Sequence, residues 1–493
     1  MRIKILSFCF LISTAAVGQT DACSQIQASI NALPPSGGTV DARSLDRVQS
    51  CATNPFGSSI KPVTLLLGAV TLNVSVPIIA NTPVSGKTVI QGLGEATNIT
   101  LVNTAAFIQP GSNVEIRDLA ITSSLTSVIN GSIFSQGTSN IKIENVTFTG
   151  GGHQLNLNTV SNFRVAGTRH VGLTAPGAAI FVYNSDHGTV REPRVEGFTY
   201  PAGSSLRVIG FNNSRYIDVE SPIVRNLDGT TVSNSFAALG FSGSDHMTLL
   251  GGQLTDNKGA DGFVSEAGSS DIDIVGTIST GNGLCSVSSP CAGSNGGNGD
   301  GFDIFNSSRV RLSGCNARGN GNWTANPHPG IEIFTSTDVT VQACDASDSG
   351  GNGIIVQGSP RTVLIGVSSQ RNQGDGLYVA PYVAPSGSTD SSVQVMGGQF
   401  NDNGRGNLGL VFVNGMYFAG GATATVQGAT ATNTTGSTQV YGARLENTSR
   451  GVFVLNNFHG NASGDIQDSV GKSPVFQEDG STNAVHSAGP CCQ

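Results

Sequence analysis

Gly301-Phe302-Asp303-Ile304-Phe305, Gly330-Ile331-Glu332-Ile333-Phe334, Gly353-Ile354-Ile355-Val356-Gln357 and Gly376-Leu377-Tyr378-Val379-Ala380 are four returns of one pattern, a glycine followed by a short strand. In each, the second and fourth residues are apolar, the period-2 signature of a strand with one buried face, so the third is expected to stand exposed. A second strand recurs between them: Val310-Arg311-Leu312, Val339-Thr340-Val341, Val363-Leu364-Ile365 and Val393-Gln394-Val395. Asn, Gly, Asp and Ser fill the corners. Strand, corner, strand, corner at a period of roughly 22 to 38 residues marks a solenoid whose turns stack on one another. The reading is an all-β fold, a single-stranded parallel β-helix.

The composition agrees. With 66 glycines and 12% charged residues, the chain is built for strands and tight corners. Its net charge of -8 argues against nucleic acid or an anionic membrane as partner, and weighs against a strongly anionic polysaccharide.

Residues 1–18 carry Arg2 and Lys4, an apolar run from Ile5 to Ile12, and small residues at Ala16 and Gly18. This is the pattern of a secretory signal, too short to span a membrane, so a secreted or periplasmic protein with no membrane insertion is expected. Cysteine usage fits an oxidising compartment. Cys9 lies in the signal, Cys23/Cys51 and Cys285/Cys291 are candidate local disulfides, and Cys315 and Cys344 occupy one slot in consecutive turns. That last pair is read either as a disulfide or as a stacked thiol ladder. Asp21 to Ala32 has apolar residues at helical spacing before Pro34-Pro35, which reads as a short helix capping the open end of the solenoid. One elongated domain over residues 19–464 is expected, with residues 465–493 as a closing segment or loose tail.

After that helix come Gly37-Gly38-Thr39-Val40-Asp41, Val63 to Gly68 and Lys87 to Gly92. This opening resembles the pectate lyase-like β-helix superfamily, in which a helix leads into a glycine-rich strand and then into coils. The resemblance covers most of the chain as order and pattern, and it implies a right-handed coil. Recurrent corners such as Tyr183-Asn184-Ser185, Asn212-Asn213-Ser214 and Asn306-Ser307-Ser308 read as ladder structure, since Asn tolerates left-handed backbone.

The chemistry lies on the outward positions. Asp303 and Glu332 fall at the same position of adjacent strands, which sets their carboxyls roughly 5 to 6 Å apart. Such a pair suits glycoside hydrolysis, one carboxyl as nucleophile and the other as acid/base, with pKa values pushed apart. Asp261, Asp300 and Asp375 each precede a strand-opening glycine, Asn352 shares that slot, and Pro329 interrupts the row. Each is ordinary corner chemistry taken alone; Asp300, nearest the pair, is the best candidate for a catalytic third. Phe305, Phe334 and Tyr378 on the same face, with Trp323 and His328 from a bordering loop, are the candidate substrate-binding residues, because aromatic rings stack on sugar rings. Insertions at residues 281–299 and 316–329 flank the Asp303 strand and wall this face.

Asn298-Gly299-Asp300-Gly301-Phe302-Asp303-Ile304 is similar to the "NTDGFD" strand of polygalacturonase-like glycoside hydrolases, and the likeness implies that Asp300 is catalytic. The Asp-Asp pair, Gly-His-Gly and Arg-Ile-Lys of that family are absent here. Asn326-Pro327-His328-Pro329 shares Pro and His with the "DPHE" motif of alginate epimerases, without its acids. No metal, phosphate-loop or nucleophile-elbow motif is present, so no cofactor is expected, although the aspartates before the glycines could take Ca²⁺. The sequence therefore reads as a secreted polysaccharide-cleaving hydrolase. Its alternatives are a uronate lyase or epimerase centred on His328 and Tyr378, with Lys258, Arg318 or Arg371 meeting the uronate, and a non-catalytic glycan-binding or surface protein.

Overall fold

The computed structural model describes residues 9–11, 21–123, 131–197, 199–200, 207–229, 236–283, 299–321, 327–384, 387–405, 413–434, 438–446, 449–468, 475–477 and 485–487. Trp323, Cys285, Cys291 and Cys491-Cys492 lie outside these residues. Two compact units divide at Ile223/Val224. Each is a parallel β-solenoid.

The N-terminal unit opens with a helix, Ala22–Ala32. Asp21 caps it by accepting the Cys23 N–H (3.3 Å), and Lys61 Nζ donates to the carbonyls of Asn31 (2.8 Å) and Leu33 (2.6 Å) at its other end. Its apolar stripe, including Cys23 and Ile26, faces Leu65, Leu67, Leu72, Ile90 and Ile99 of the solenoid interior. Burying that stripe closes an end that would otherwise leave apolar side chains in water. The expected Cys23–Cys51 disulfide is formed and ties the helix to the strand Arg47–Cys51. Strand Cys9–Leu11 pairs in parallel with Thr39 to Asp41. Among the described residues no helix is long and apolar enough to cross a membrane.

In the C-terminal unit the strands Asp261–Glu266, Phe302–Phe305, Ile331–Phe334, Ile354–Gln357 and Leu377–Ala380 stack in parallel and in register. Phe263, Phe302, Ile331, Ile354, Leu377 and Met416 form one continuous inward row, all fully buried. The glycine opening each strand is required by close approach of the coils. A Cβ on Gly301 would lie 2.5 Å from both Gly330 O and Asn320 Nδ2, and one on Gly376 would lie 2.6 Å from Gly415 O. The Asn/Ser corners form ladders as read. Asn184, Asn213 and Asn306 have φ of 49°, 48° and 43°, and corner serine hydroxyls accept an N–H from the coil before, as in Val160→Ser185 (2.9 Å), Ser185→Ser214 (3.2 Å), Ser307→Ser336 (3.0 Å) and Ser336→Ser359 (3.0 Å).

Two sequence alignments need correction. Val363 pairs with Thr340 and Gln394, so Thr362 and Leu364 are the buried residues of that strand and Val363 points outward. The register follows the serine ladder: Thr362 stands three residues after Ser359, as Val339 stands after Ser336. The third position of the opening strands also differs, because Asp303 and Glu332 are half-buried rather than exposed. Cys315 and Cys344 are both buried and reduced, with the Cys344 thiol accepting the Cys315 N–H (3.3 Å), which makes them a thiol ladder.

Beyond Gly420 parallel pairing continues through Thr423–Gln427, Arg450–Val454 and Gly464–Asp468. Val475–Gln477 and Val485–Ser487 then pair with residues 452–454 and 466–468.

Candidate functional site

The residues preceding the opening glycines stack in one corner of successive coils: Asp261, Asp300, Pro329, Asn352, Asp375 and Asn414. Backbone bonds fix this order, including Gly262 N–H to Asp300 O (2.9 Å), Gly330 N–H to Asn352 O (3.3 Å) and Gly353 N–H to Asp375 O (2.9 Å). In this corner a side-chain oxygen normally accepts the N–H of its counterpart one coil on. Asp261 Oδ1 accepts from Asp300 N (2.9 Å) and Gly299 N (2.6 Å), Asn352 Oδ1 from Asp375 N (2.7 Å), and Asp375 Oδ1 from Asn414 N (2.6 Å).

Asp300 breaks the rule because its counterpart one coil on is Pro329, which has no N–H to give. Its carboxyl is released from the ladder and turns to side chains. Oδ1 lies 3.1 Å from His328 Nδ1, and the group is hydrogen-bonded to Glu332. Neighbouring strands bring Asp303 opposite Glu332. One oxygen from each of Asp300, Asp303 and Glu332 lies within 4.8 Å of the others, a spacing that a hard cation would also accept.

Burial sets the charge state of this cluster. Asp300 is 3% exposed, and its pKa is pushed well above the usual carboxylate value, first by burial and then by the Glu332 and Asp261 charges. Burial followed by the Asp300 and Glu332 charges does the same to Asp303. Glu332 is raised by burial too, with the Asp300 hydrogen bond and the nearby His328 opposing. Asp261 is raised to about 6 by burial, against the two backbone N–H groups and His328. His328 is 8% exposed, and burial pulls its pKa down against the Asp261 and Glu332 charges, which favours the neutral ring. Its Nε2 is buried without a protein partner, so the tautomer with hydrogen on Nδ1 places the proton where an acceptor exists. A proton chain results: His328 Nδ1–H donates to Asp300, and protonated Asp300 donates to Glu332. The carboxyls interact too strongly to titrate independently, and burial raises the pKa of each, with mutual repulsion adding to it at Asp261, Asp300 and Asp303.

Aromatic residues continue the face. Phe305 is 39% exposed and stacks on Phe334 with centroids 5.6 Å apart, while Tyr382 meets Phe334 edge-on at 4.7 Å. Tyr382 begins a small antiparallel hairpin formed with residues 387–389. Tyr378 stands two strands from Glu332, beyond Ile355, and its half-buried ring tilts against Tyr417 at 5.5 Å. The structure thus brings together Asp300, Asp303, Glu332 and His328, places Phe305 and Phe334 two residues along the same strands, and sets Tyr378 further off. His328, read as a substrate-facing loop residue, sits behind Asp300.

A family profile described as "Right handed beta helix region" matches residues 285–459. The chain is a right-handed parallel β-helix. No curated protein matches it in sequence. Among solved structures it is similar to the Azotobacter vinelandii mannuronan C-5 epimerase AlgE4 A-module, at 12% identity over 93% of this chain and 97% of that one, TM-score 0.40. It is also similar to the periplasmic alginate epimerase AlgG (10% identity, 81% and 84% covered, TM-score 0.41). PfbA, a surface adhesin of Streptococcus pneumoniae, aligns at 11% identity over 69% and 82%, TM-score 0.39.

In this β-helix three participants carry weak sequence signals. Asp261 reads as a corner aspartate, and it is one, yet the N–H groups it accepts are those that fix Gly299 and Asp300. Pro329 reads only as a gap in a row of Asp and Asn. Tyr382 lies in an insertion after the fourth repeat, and no period foretells its contact with Phe334. Of the cations named for a uronate partner, two are committed elsewhere: Arg371 bonds Asp348 Oδ1 (2.8 Å), and Arg318 bonds Asp348 Oδ2 (3.2 Å from Nε), while Lys258 is exposed, three residues before Asp261.

Proposed function

We propose that this β-helix is a polysaccharide-cleaving glycoside hydrolase acting through Asp303, Glu332 and Asp300. The observation that carries the reading is the register of Asp303 on Glu332, with a third carboxyl freed beside them by Pro329. Asp303 and Glu332 are the half-buried members and meet the sugar. One serves as nucleophile or base and the other as acid/base, at a separation compatible with the roughly 5–5.5 Å of retaining enzymes. Asp300, fully enclosed, holds the shared proton next to Glu332, and His328 orients it. Phe305 and Phe334 offer faces for sugar rings. Lyase or epimerase chemistry centred on His328 and Tyr378 fits less well, since His328 Nε2, the ring nitrogen left to act as a base, is buried, and Tyr378 is about 10 Å from Glu332 at the ordinary strand spacing.

The test is to incubate the purified protein and an Asp303→Asn/Glu332→Gln variant with neutral and acidic polysaccharides, reading products by chromatography and by absorbance of unsaturated uronate. Reducing-end products made by the wild type and lost in the variant, without that absorbance, are expected. Unsaturated products would establish a lyase instead, and equal activity in both proteins would remove the chemistry from the carboxyl cluster. Binding without any product would leave a glycan-binding protein.

A further inference from the structure

Resting on the hydrolase reading, we propose that the sugars held at the carboxyl cluster are uncharged, so that the substrate is a neutral polysaccharide rather than a uronate-rich or sulfated one. The distribution of charge around the site points there. Asp261, Asp300, Asp303 and Glu332 bring four carboxyls together. Residues 259–360 hold the three strands of the site and both bordering loops, and their only lysines or arginines are Arg309, Arg311 and Arg318. Each is already bonded to an aspartate: Arg309 to Asp271 (2.6 and 2.7 Å), Arg311 to Asp273 (2.7 Å) and Arg318 to Asp348. Arg309 and Arg311 lie on the strand Ser308–Ser313, which pairs with Ser270–Val275 and Thr337–Gln342 rather than with the strands of the site. The loop segments at residues 284–298 and 322–326 contain neither Lys nor Arg.

On the outward row itself the first cation is Arg444, four strands from Glu332 by way of Ile355, Tyr378 and Tyr417. That is about 19 Å at the usual strand spacing. Arg444 also lies over the Tyr417 ring (5.2 Å) and pairs with Glu446 (3.4 Å). A sugar carboxylate at the cleaved bond would therefore meet like charge, with no cation on the strands of the site to offset it. A neutral ring meets what the site has: carboxyl oxygens that accept hydroxyl protons, and the Phe305, Phe334 and Tyr382 rings for its C–H faces. A divalent cation bridging the cluster to a sugar carboxylate is the one route by which an acidic polymer would fit, so the experiment includes it.

The experiment uses matched polymers, a polyuronate and its carboxyl-reduced form, alongside neutral glucans, galactans and mannans, each with Ca²⁺ and with EDTA. Cleavage is read by chromatography. Binding is read separately, by affinity electrophoresis of the wild-type protein through gels containing each polymer, with the Asp303→Asn/Glu332→Gln variant run beside it to show how far the two carboxyls set the preference. Cleavage or retardation by neutral or carboxyl-reduced polymers, exceeding the native polyuronate by about 100-fold or more, supports the inference. A preference for the native polyuronate in either assay, with or without Ca²⁺, overturns it, as does failure to bind or cleave any neutral polymer. Retardation by a neutral polymer without product from any substrate sinks the hydrolase reading while upholding this one.

Discussion

Replacing Pro329 by alanine returns an N–H to the single coil of this corner that lacks one. Three neighbouring coils show what such an N–H does: it donates to the side chain one coil earlier, at 2.9 Å to Asp261, 2.7 Å to Asn352 and 2.6 Å to Asp375. In Pro329→Ala the acceptor is Asp300, drawn back from Glu332. A hydrogen bond to a charged group contributes about 1.5–3 kcal/mol, and one pKa unit corresponds to about 1.4 kcal/mol, so the Asp300 pKa falls by about one to two units. Because Asp300 holds the proton it shares with Glu332, the basic limb of the kcat/KM profile moves to lower pH by up to that amount.

Stability should move the other way. In the wild type the folded pKa of Asp300 lies above its unfolded value, so its contribution is fully present below pH of about 3.8 and is lost as pH rises through the folded pKa. The variant lowers the folded pKa and loses less. Relative to wild type it gains about 1.5–3 kcal/mol between acid and neutral pH, against a uniform loss of about 0.4–1 kcal/mol from the freer unfolded chain. Urea unfolding of both proteins from pH 3.5 to 8, with kcat/KM over the same range, measures both effects. A constant stability offset across pH, with an unmoved activity limb, would refute the release of Asp300 by Pro329.

Three further outcomes follow from the framework around the site. Removing the Cys23–Cys51 disulfide, which closes a 28-residue separation, should lower stability by about 3.5 kcal/mol in urea unfolding, with the loss confined to oxidising conditions. Cys344→Ser should be nearly neutral, because its hydroxyl can still accept the Cys315 N–H. Cys344→Val should cost about 1–3 kcal/mol by leaving that buried N–H unpaired, and equal effects would show that the thiol ladder contributes only packing. His170, stacked on Phe148 at 4.9 Å and bonded to Gln154 and Thr168, is held down to a pKa of about 3 by burial. Its contribution is present above pH of about 6.5 and lost as pH falls toward 3, so His170→Gln should flatten the acid side of the melting-temperature profile; an unchanged slope would show that other groups govern it.

The periodic features of this chain are legible because a solenoid writes its structure locally. Alternation in Phe302 to Phe305 and Ile331 to Phe334 fixes the buried face, and equal offset from the glycine fixes the register that sets Asp303 on Glu332. Where an apolar run and a corner disagree, the corner prevails: Val363-Leu364-Ile365 looks like its neighbours in composition, yet the Ser359 hydroxyl bond moves it by one residue. Half-burial of the two carboxyls was not legible, since it depends on what covers the strand rather than on the strand.

By itself the sequence determined the parallel β-helix, the capping helix, the Cys23–Cys51 bond and the alignment of Asp303 with Glu332, because each follows from a repeat or from neighbours in the chain, whereas the right hand of the coil came from the family resemblance. The tertiary structure alone decided what the acids are. Asp261 and Asp375 are ladder acceptors and Asp300 is not, although all three precede the same glycine in the same slot. The difference lies one coil away, in whether the residue stacked against each carboxyl has an N–H to offer. A carboxylate's role depends on its partners in space, and the stacking of coils chooses those partners.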